Sequence, residues 1–322
     1  MEQVLKKRKT YEGVTYKKRA RRTLKQKRKD RAWFTMCLPA MLHLVLFHYV
    51  TYIGIVIAFQ FYVPRYGFLY SDFVGFDNFM YLFKSITFTR IVTNAIIFNV
   101  LNLVFGTFIG VFLGIFIFEV SNKIFVKMAQ TIMFFPYFIA WPVAGTLFAS
   151  IISDRGVLTH LIMSITGKQI YFYEMPQLWY FIITFARIWK GCGVSAVIYY
   201  ATLLNVDSSL YEAAAIDGAG RFRRMWHVSV PCLKPMVIIG IIMNSANILK
   251  SDFGLMYFLP QNSPVLYPVT DVIETYMFRA LRVNGDYSIS AATGLVQGVV
   301  GLILTLFVNK IVKVVQKDLS LY

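Results

Sequence analysis

Few residues of this chain are equipped for chemistry, and those few lie in apolar surroundings. Arg187 and Lys190 stand three apart in an apolar run, so any helix there carries both on one face. Asn244, Asn247 and Ser251 form a second stripe, with Lys250 and Asp252 on its flanks. A charge near the centre of a membrane helix costs at least about 2.5–3.5 kcal/mol, so such groups turn toward a cavity or a partner. On that reading Arg187, Trp189, Lys190, Asn244, Asn247, Lys250, Ser251 and Asp252 are candidates for a polar path, its donors meeting a solute's hydroxyls or carboxylates. The plainer alternative is that the charges pair with one another or extend to the interface, and that Trp189 packs. Covalent chemistry has no candidates. No His, Asp and Glu converge at one depth, and Cys37, Cys192 and Cys232 follow no disulfide or metal-binding spacing. The nearest approach to a phosphate-binding loop, ITGKQ at 165–169, lacks the upstream glycine and the Ser/Thr, so the chain is not expected to hydrolyse ATP.

The surroundings explain why polar groups are so conspicuous. The chain is 57% hydrophobic and 15% charged, whereas soluble domains are roughly 25% charged. Apolar blocks exceed the ~20 residues needed to cross a bilayer. Six spans are expected, at 34–62, 92–118, 128–152, 178–203, 236–258 and 290–309. Of the net charge of +17, residues 1–31 carry +11, through fourteen Lys/Arg against three acids. This arm, taken as 1–32, runs into a long apolar segment without a cleavage site, which reads as a retained anchor rather than a signal peptide. An arm lying on anionic lipid, or a disordered tail that only sets topology, fits this placement better than one binding nucleic acid. With the N-terminus inside, the inner segments hold 23 Lys/Arg and the outer loops seven, which places both termini in the cytoplasm. The spans then form one domain over 33–312, with a short tail at 313–322. Glycines at 106, 110 and 114, and at 294, 298 and 301, read as close-packing positions.

The inner loop between spans 4 and 5, 205–235, is the most informative segment. Ser209 and Glu212 have capping-box spacing, predicting a helix from near Ser209. Ala213–Ala215 give it a small face, and Asp217-Gly218 predicts its end in a left-handed turn. A second short helix is expected over 220–228, halted by Pro231 and Pro235. Such a compact unit suits docking into a groove on another protein, or lying on the membrane.

The segment EAAAIDGAG with a later proline resembles the EAA loop of permease subunits of binding-protein-dependent ABC importers. Glu212, Ala213, Ala214, Asp217, Gly218, Ala219 and Pro231 match; Met225 and Val230 stand where the family often has Phe and Leu. The stretch 73–83 resembles the segment before span 2 in sugar-type permeases, and 49–62, 188–219 and 272–281 are similar to a narrower branch handling complex oligosaccharides such as alginate and pectin fragments. The resemblance implies an all-α integral membrane protein of the type I importer permease fold. Its 205–235 loop would couple to a separate ATPase. It further implies a second homologous permease forming a heterodimer, two ATPase subunits that hold the ATP and Mg, an extracytoplasmic solute-binding protein, and a bacterial cell membrane location. No cofactor is expected on this chain. The competing readings are a secondary transporter, which calls for internal repeats or coupling carboxylates that are not evident, and an ABC permease for a non-sugar solute. A membrane enzyme would require a cluster of catalytic groups.

Overall fold

A computed structural model of the chain describes residues 24–315, apart from Ala246. Most of the expected basic arm, and the tail beyond 315, therefore lie outside the described residues. Contacts divide the chain into two units, 1–54 and 55–322. The first contains helix α1 (Leu24–Leu44), a π turn at Val45–Tyr49, and the start of a 3₁₀ helix, Val50–Phe59.

The second unit opens with a two-stranded antiparallel pair, Gln60–Phe61 against Asp72–Phe73. The buried Asn78 amide holds it, donating to the carbonyls of Ala58 and Gln60. The helices that follow are α2 (Asp77–Lys84), α3 (Ile86–Leu101), α4 (Thr107–Glu119), α5 (Lys123–Phe138), α6 (Trp141–Ile152), α7 (Val157–Thr166) and α8 (Leu178–Leu204). Then come α9 (Ser208–Ile216), α10 (Val230–Ser245), α11 (Phe253–Phe258), α12 (Ile273–Arg282) and α13 (Tyr287–Val315).

Six helical stretches are long and apolar enough to cross a membrane: Lys29–Phe59, Ile86–Glu119, Trp141–Thr166, Leu178–Leu204, Arg221–Ser245 and Tyr287–Ile311. The number agrees with the sequence reading, but two boundaries do not. The block expected at 128–152 is divided between α5 and α6, because Ile139 and Ala140 adopt extended backbone. Pro142 then sits in the first turn of α6, where its missing N–H leaves no hydrogen bond unmade.

The fifth span differs more. It was expected at 236–258 with Pro231 and Pro235 stopping a preceding helix. Instead helical backbone runs from Arg221 through a π turn at Met225–Ser229 into α10. In that turn the Val230 N–H reaches back five residues to Met225 O, and the widened coil carries the chain past Pro231. Pro235 lies inside α10. The helix stops at Ser245, well before 258.

Helix α8 is central. Its Trp179, Ile183 and Ala186 are fully buried with Phe98 of α3, Phe148 of α6 and Leu255 and Leu259 near α11. Glycines permit the closest approaches. A Cβ on Gly193 would lie 2.2 Å from Met133 O of α5, and one on Gly114 would lie 2.8 Å from Tyr199 Cβ. The packing expected of Gly110 and Gly114 is thus against α8. Among the described residues, a Cβ on Gly298 would meet nothing within 4 Å, and one on Gly106 would meet only Asn102, four residues before it.

On the segment between α11 and α13, Asp271 is buried and gathers several partners. Arg279 Nη2 lies 2.5 Å and Arg90 Nη2 3.4 Å from its carboxylate, and the Thr275 hydroxyl donates to it at 2.8 Å. Asn94 of α3 donates to its carbonyl. These bonds tie α12 to α3.

Candidate functional site: two interrupted helices and a polar cavity

The polar residues singled out in the sequence gather around two helix breaks. Where α5 gives way to α6, the Ile139 carbonyl is freed from helical bonding, and the Lys190 ammonium donates to it. The same ammonium sits 4.8 Å from the centroid of the Trp141 ring. Lys190 thus fastens one break, at the start of α6.

The second break lies between α10 and α11. Asn247–Leu249 form a turn and Lys250–Asp252 run without helix. The continuous stripe of Asn244, Asn247 and Ser251 does not exist, because it required helical spacing through this gap. Side chains from other elements satisfy the opened backbone. Asn99 of α3 donates to Ile248 O at 2.8 Å and Lys250 O at 3.2 Å. Gln297 of α13 donates to Leu249 O at 2.7 Å. Glu274 of α12 accepts from the Ser251 N–H and from Gln297, both at 2.8 Å. Asp252 caps α11 by accepting from Leu255 N–H, and its other oxygen accepts from Trp141 Nε1 at 2.6 Å. That last bond joins the two breaks. Irregular backbone at membrane depth persists only where protein or a wet cavity satisfies it, and here three helices supply the partners. Asn99, Trp141, Glu274 and Gln297 were missed in the sequence. An isolated amide or carboxylate in an apolar run was the available clue, but the backbone it serves is 23 to 151 positions away.

Arg187 and Asn244 are brought together. Both line a cavity of about 260 Å³ with Asn102, Thr107, Ser195 and Tyr199. Arg187 Nη2 donates to Asn99 Oδ1 at 3.1 Å, and its Nη1 has no hydrogen-bond partner among the described residues. Arg187 and Lys190 share a helix but serve different partners. Asn247 is exposed, and its side-chain amide donates to Met243 O within its own segment. The Lys250 side chain is exposed, and Ser251 is buried with its hydroxyl unpartnered. Trp189 packs edge-on against Phe148, their ring centroids 5.7 Å apart, so its place is in the core.

The loop after α8 forms the compact unit expected, with one correction. Helix α9 starts at Ser208, capped by Asp207, whose side chain accepts from Ser209 N–H at 2.9 Å. The Ser209–Glu212 capping box is not the device used, because Asp207 precedes it and already occupies the cap. Hydrogen bonds from the Ser209 N–H and hydroxyl hold the Asp207 carboxyl below its ordinary range. At the other end, Gly218 takes φ +75°. Its N–H bonds Ala215 O and the Ala219 N–H bonds Ala214 O, the paired closure of a Schellman motif. Tyr211 anchors the helix: its hydroxyl lies 3.1 Å from Ser229 Oγ and its ring 5.4 Å from that of Phe118. Burial pushes this phenol above its ordinary range. Glu212, Ala213, Asp217, Gly218 and Pro231 are exposed, and Ala214 and Ala219 half-buried. Around them Leu210, Ile216, Phe222 and Trp226 also stand exposed. The outer surface of the unit is therefore apolar, small-faced and uncovered.

The sequence and the fold match those of known proteins. Residues 106–320 match the family described as binding-protein-dependent transport system inner membrane component. Protein LplB of Bacillus subtilis (strain 168) is 33% identical over 89% of this chain and 90% of its own length. The polygalacturonan/rhamnogalacturonan transport system permease protein YteP of the same organism is also 33% identical, over 94% of each chain. Among solved structures, a chain of a bacterial ABC transporter involved in the import of the acidic polysaccharide alginate superposes with a TM-score of 0.81. It is 29% identical and is covered over 97% of its length by 90% of this one. With its six apolar stretches, its type I permease architecture and these matches, the chain belongs to the binding-protein-dependent transport system inner membrane components, the permease family of ABC importers.

Proposed function

We propose that this chain is one of two membrane-spanning subunits of an ATP-driven importer that passes oligosaccharides into the bacterial cytoplasm. The observation carrying this reading is agreement in fold, along nearly the whole chain, with the permease of a polysaccharide importer. The second permease is a homologue, forming a heterodimer with this chain. Two ATPase subunits hold the ATP and Mg, and a binding protein outside the membrane delivers the sugar. Both termini face the cytoplasm, and no nucleic acid is bound.

In this reading α9 is the coupling element. Glu212, Ala213, Ala214, Asp217, Gly218 and Ala219 shape the knob that enters a cleft on the ATPase, and Pro231 lies on the helical stalk behind it. The support is mechanical. The knob is closed at both ends by hydrogen bonds and is tied by Tyr211 to Ser229, at the head of the fifth span. A rigid contact of this kind transmits a displacement to α10 instead of absorbing it. The polar route is served by Arg187 and Asn244, while the Lys190 and Asp252 side chains hold the interrupted helices beside it and Lys250 and Ser251 take part through their backbone.

The test is purification of the tagged chain co-expressed with its partner subunits, followed by uptake in proteoliposomes. An ATPase should copurify, and labelled oligosaccharide should enter only with ATP and binding protein present. Uptake driven by a proton or sodium gradient without ATP would overturn the importer reading.

A further inference from the structure

Resting on that importer reading, we infer that the cavity beside Arg187 is a subsite for an anionic sugar residue, with Arg187 reading its carboxylate and Asn99 positioning Arg187. The first ground is charge. Arg187 is largely enclosed yet forms no ion pair with any described carboxylate. Asp252 and Glu274 act on it electrostatically, but each is engaged elsewhere, Asp252 by Trp141 and Leu255, and Glu274 by Ser251 and Gln297. The guanidinium therefore keeps donor capacity: Nη2 is held by one neutral amide oxygen, and Nη1 by no group among the described residues. Guanidinium groups bind carboxylates through paired N–H donors, and these charge-assisted bonds are roughly twice as strong as neutral ones.

The second ground is the rest of the lining. Asn102, Thr107, Ser195, Tyr199 and Asn244 present amides and hydroxyls around the same space, the complement of a ring bearing several hydroxyls. At about 260 Å³ the cavity is smaller than the roughly 300–1,000 Å³ of sites that enclose drug-sized ligands. It suits one ring of a chain, as a route requires when an oligomer passes stepwise.

The third ground is the position of Asn99. Its oxygen accepts from Arg187 while its nitrogen donates to the carbonyls of Ile248 and Lys250. A single amide therefore connects the cation to the break in the fifth span. A carboxylate drawing Arg187 away from Asn99 would loosen one hold on that break, linking occupancy of the cavity to the element that must move.

The experiment uses the complete complex with its ATPases, second permease and binding protein in proteoliposomes. It measures ATP-dependent uptake of a uronate oligosaccharide and of its carboxyl-reduced counterpart of equal length. For wild type the uronate is favoured. For Arg187→Gln the uronate-to-neutral ratio falls about tenfold or more, and Arg187→Lys restores part of it. Asn244→Asp, an isosteric change at another lining residue, places a like charge in the cavity and lowers the same ratio about tenfold. This second variant reads the proposal even where Arg187→Gln fails to assemble. A ratio unchanged by Asn244→Asp, or by an assembled Arg187→Gln, overturns the subsite. Equal uptake of both sugars by wild type overturns the subsite alone, leaving the importer reading standing. Uptake of neither sugar overturns the importer reading, and the subsite with it.

Discussion

At the scale of single residues, the decisive side chains are those that complete bonds an interrupted helix cannot make for itself. Asn99 has the largest share, with its amide nitrogen on three carbonyls and its oxygen on Arg187. Asn99→Ala leaves the Ile248 and Lys250 carbonyls short of a donor, and a buried group left unsatisfied costs about 1–3 kcal/mol. The expected result is a lowered thermal unfolding midpoint in detergent, with increased proteolysis near 246–252. An unchanged midpoint would show that water or another side chain serves that backbone equally well. Asp207 makes a prediction in pH. Its carboxyl is held below the ordinary range by Ser209. A depressed folded-state pKa stabilises above the unfolded value, and that contribution is lost as pH falls through the folded one. Cleavage within 208–216 should therefore rise on acidification. Asp207→Asn keeps an acceptor oxygen without the charge, so its cleavage should not vary with pH over that window.

At the scale of elements, two contacts make opposite demands on side-chain size. Helices α5 and α8 touch backbone to backbone at Gly193, where an added methyl would meet a carbonyl that cannot withdraw. Gly193→Ala should cost about 1–3 kcal/mol as overpacking does, read as a lower unfolding midpoint. Gly298→Ala, with nothing within 4 Å, should leave the isolated chain's midpoint where it was. Helix α9 behaves differently because its outer face is open. Ala213→Trp should insert and fold normally yet lose ATPase capture in a pull-down, together with uptake. Gly218→Val should be damaging as well, since a β-branched residue resists φ near +75°. Retained ATPase capture and normal uptake in Ala213→Trp would show that α9 is not the coupling element.

At the scale of the whole molecule, orientation follows from the distribution of charge. Twenty-three Lys/Arg fall in segments assigned to the inside and seven to the outside, by count along the chain. A reporter fused after Tyr322 should behave as cytoplasmic, and labelling there by an impermeant reagent from outside would refute the orientation. The same scale explains why a single sequence supported the family so well. The match over 106–320 covers most of the helices that pack on α8, together with the loop that leaves it.

The sequence by itself determined that the chain crosses a membrane six times and where its exposed loop turns. Both are local properties: apolar length sets a span, and the Gly218 turn needs only its neighbours' backbone. It also marked Arg187 and Asn244, because a polar group in an apolar run is visible without a fold. Only the tertiary structure decided where the fifth span breaks. Nothing local forbids a helix through Lys250. The break exists because Asn99, Glu274 and Gln297 arrive from three other helices and satisfy the freed backbone. It likewise decided that Lys190 fastens a carbonyl and that Asp252 caps a helix and holds Trp141. Hydrogen bonds between residues 23 to 149 positions apart depend on packing, and no spacing along the chain encodes them.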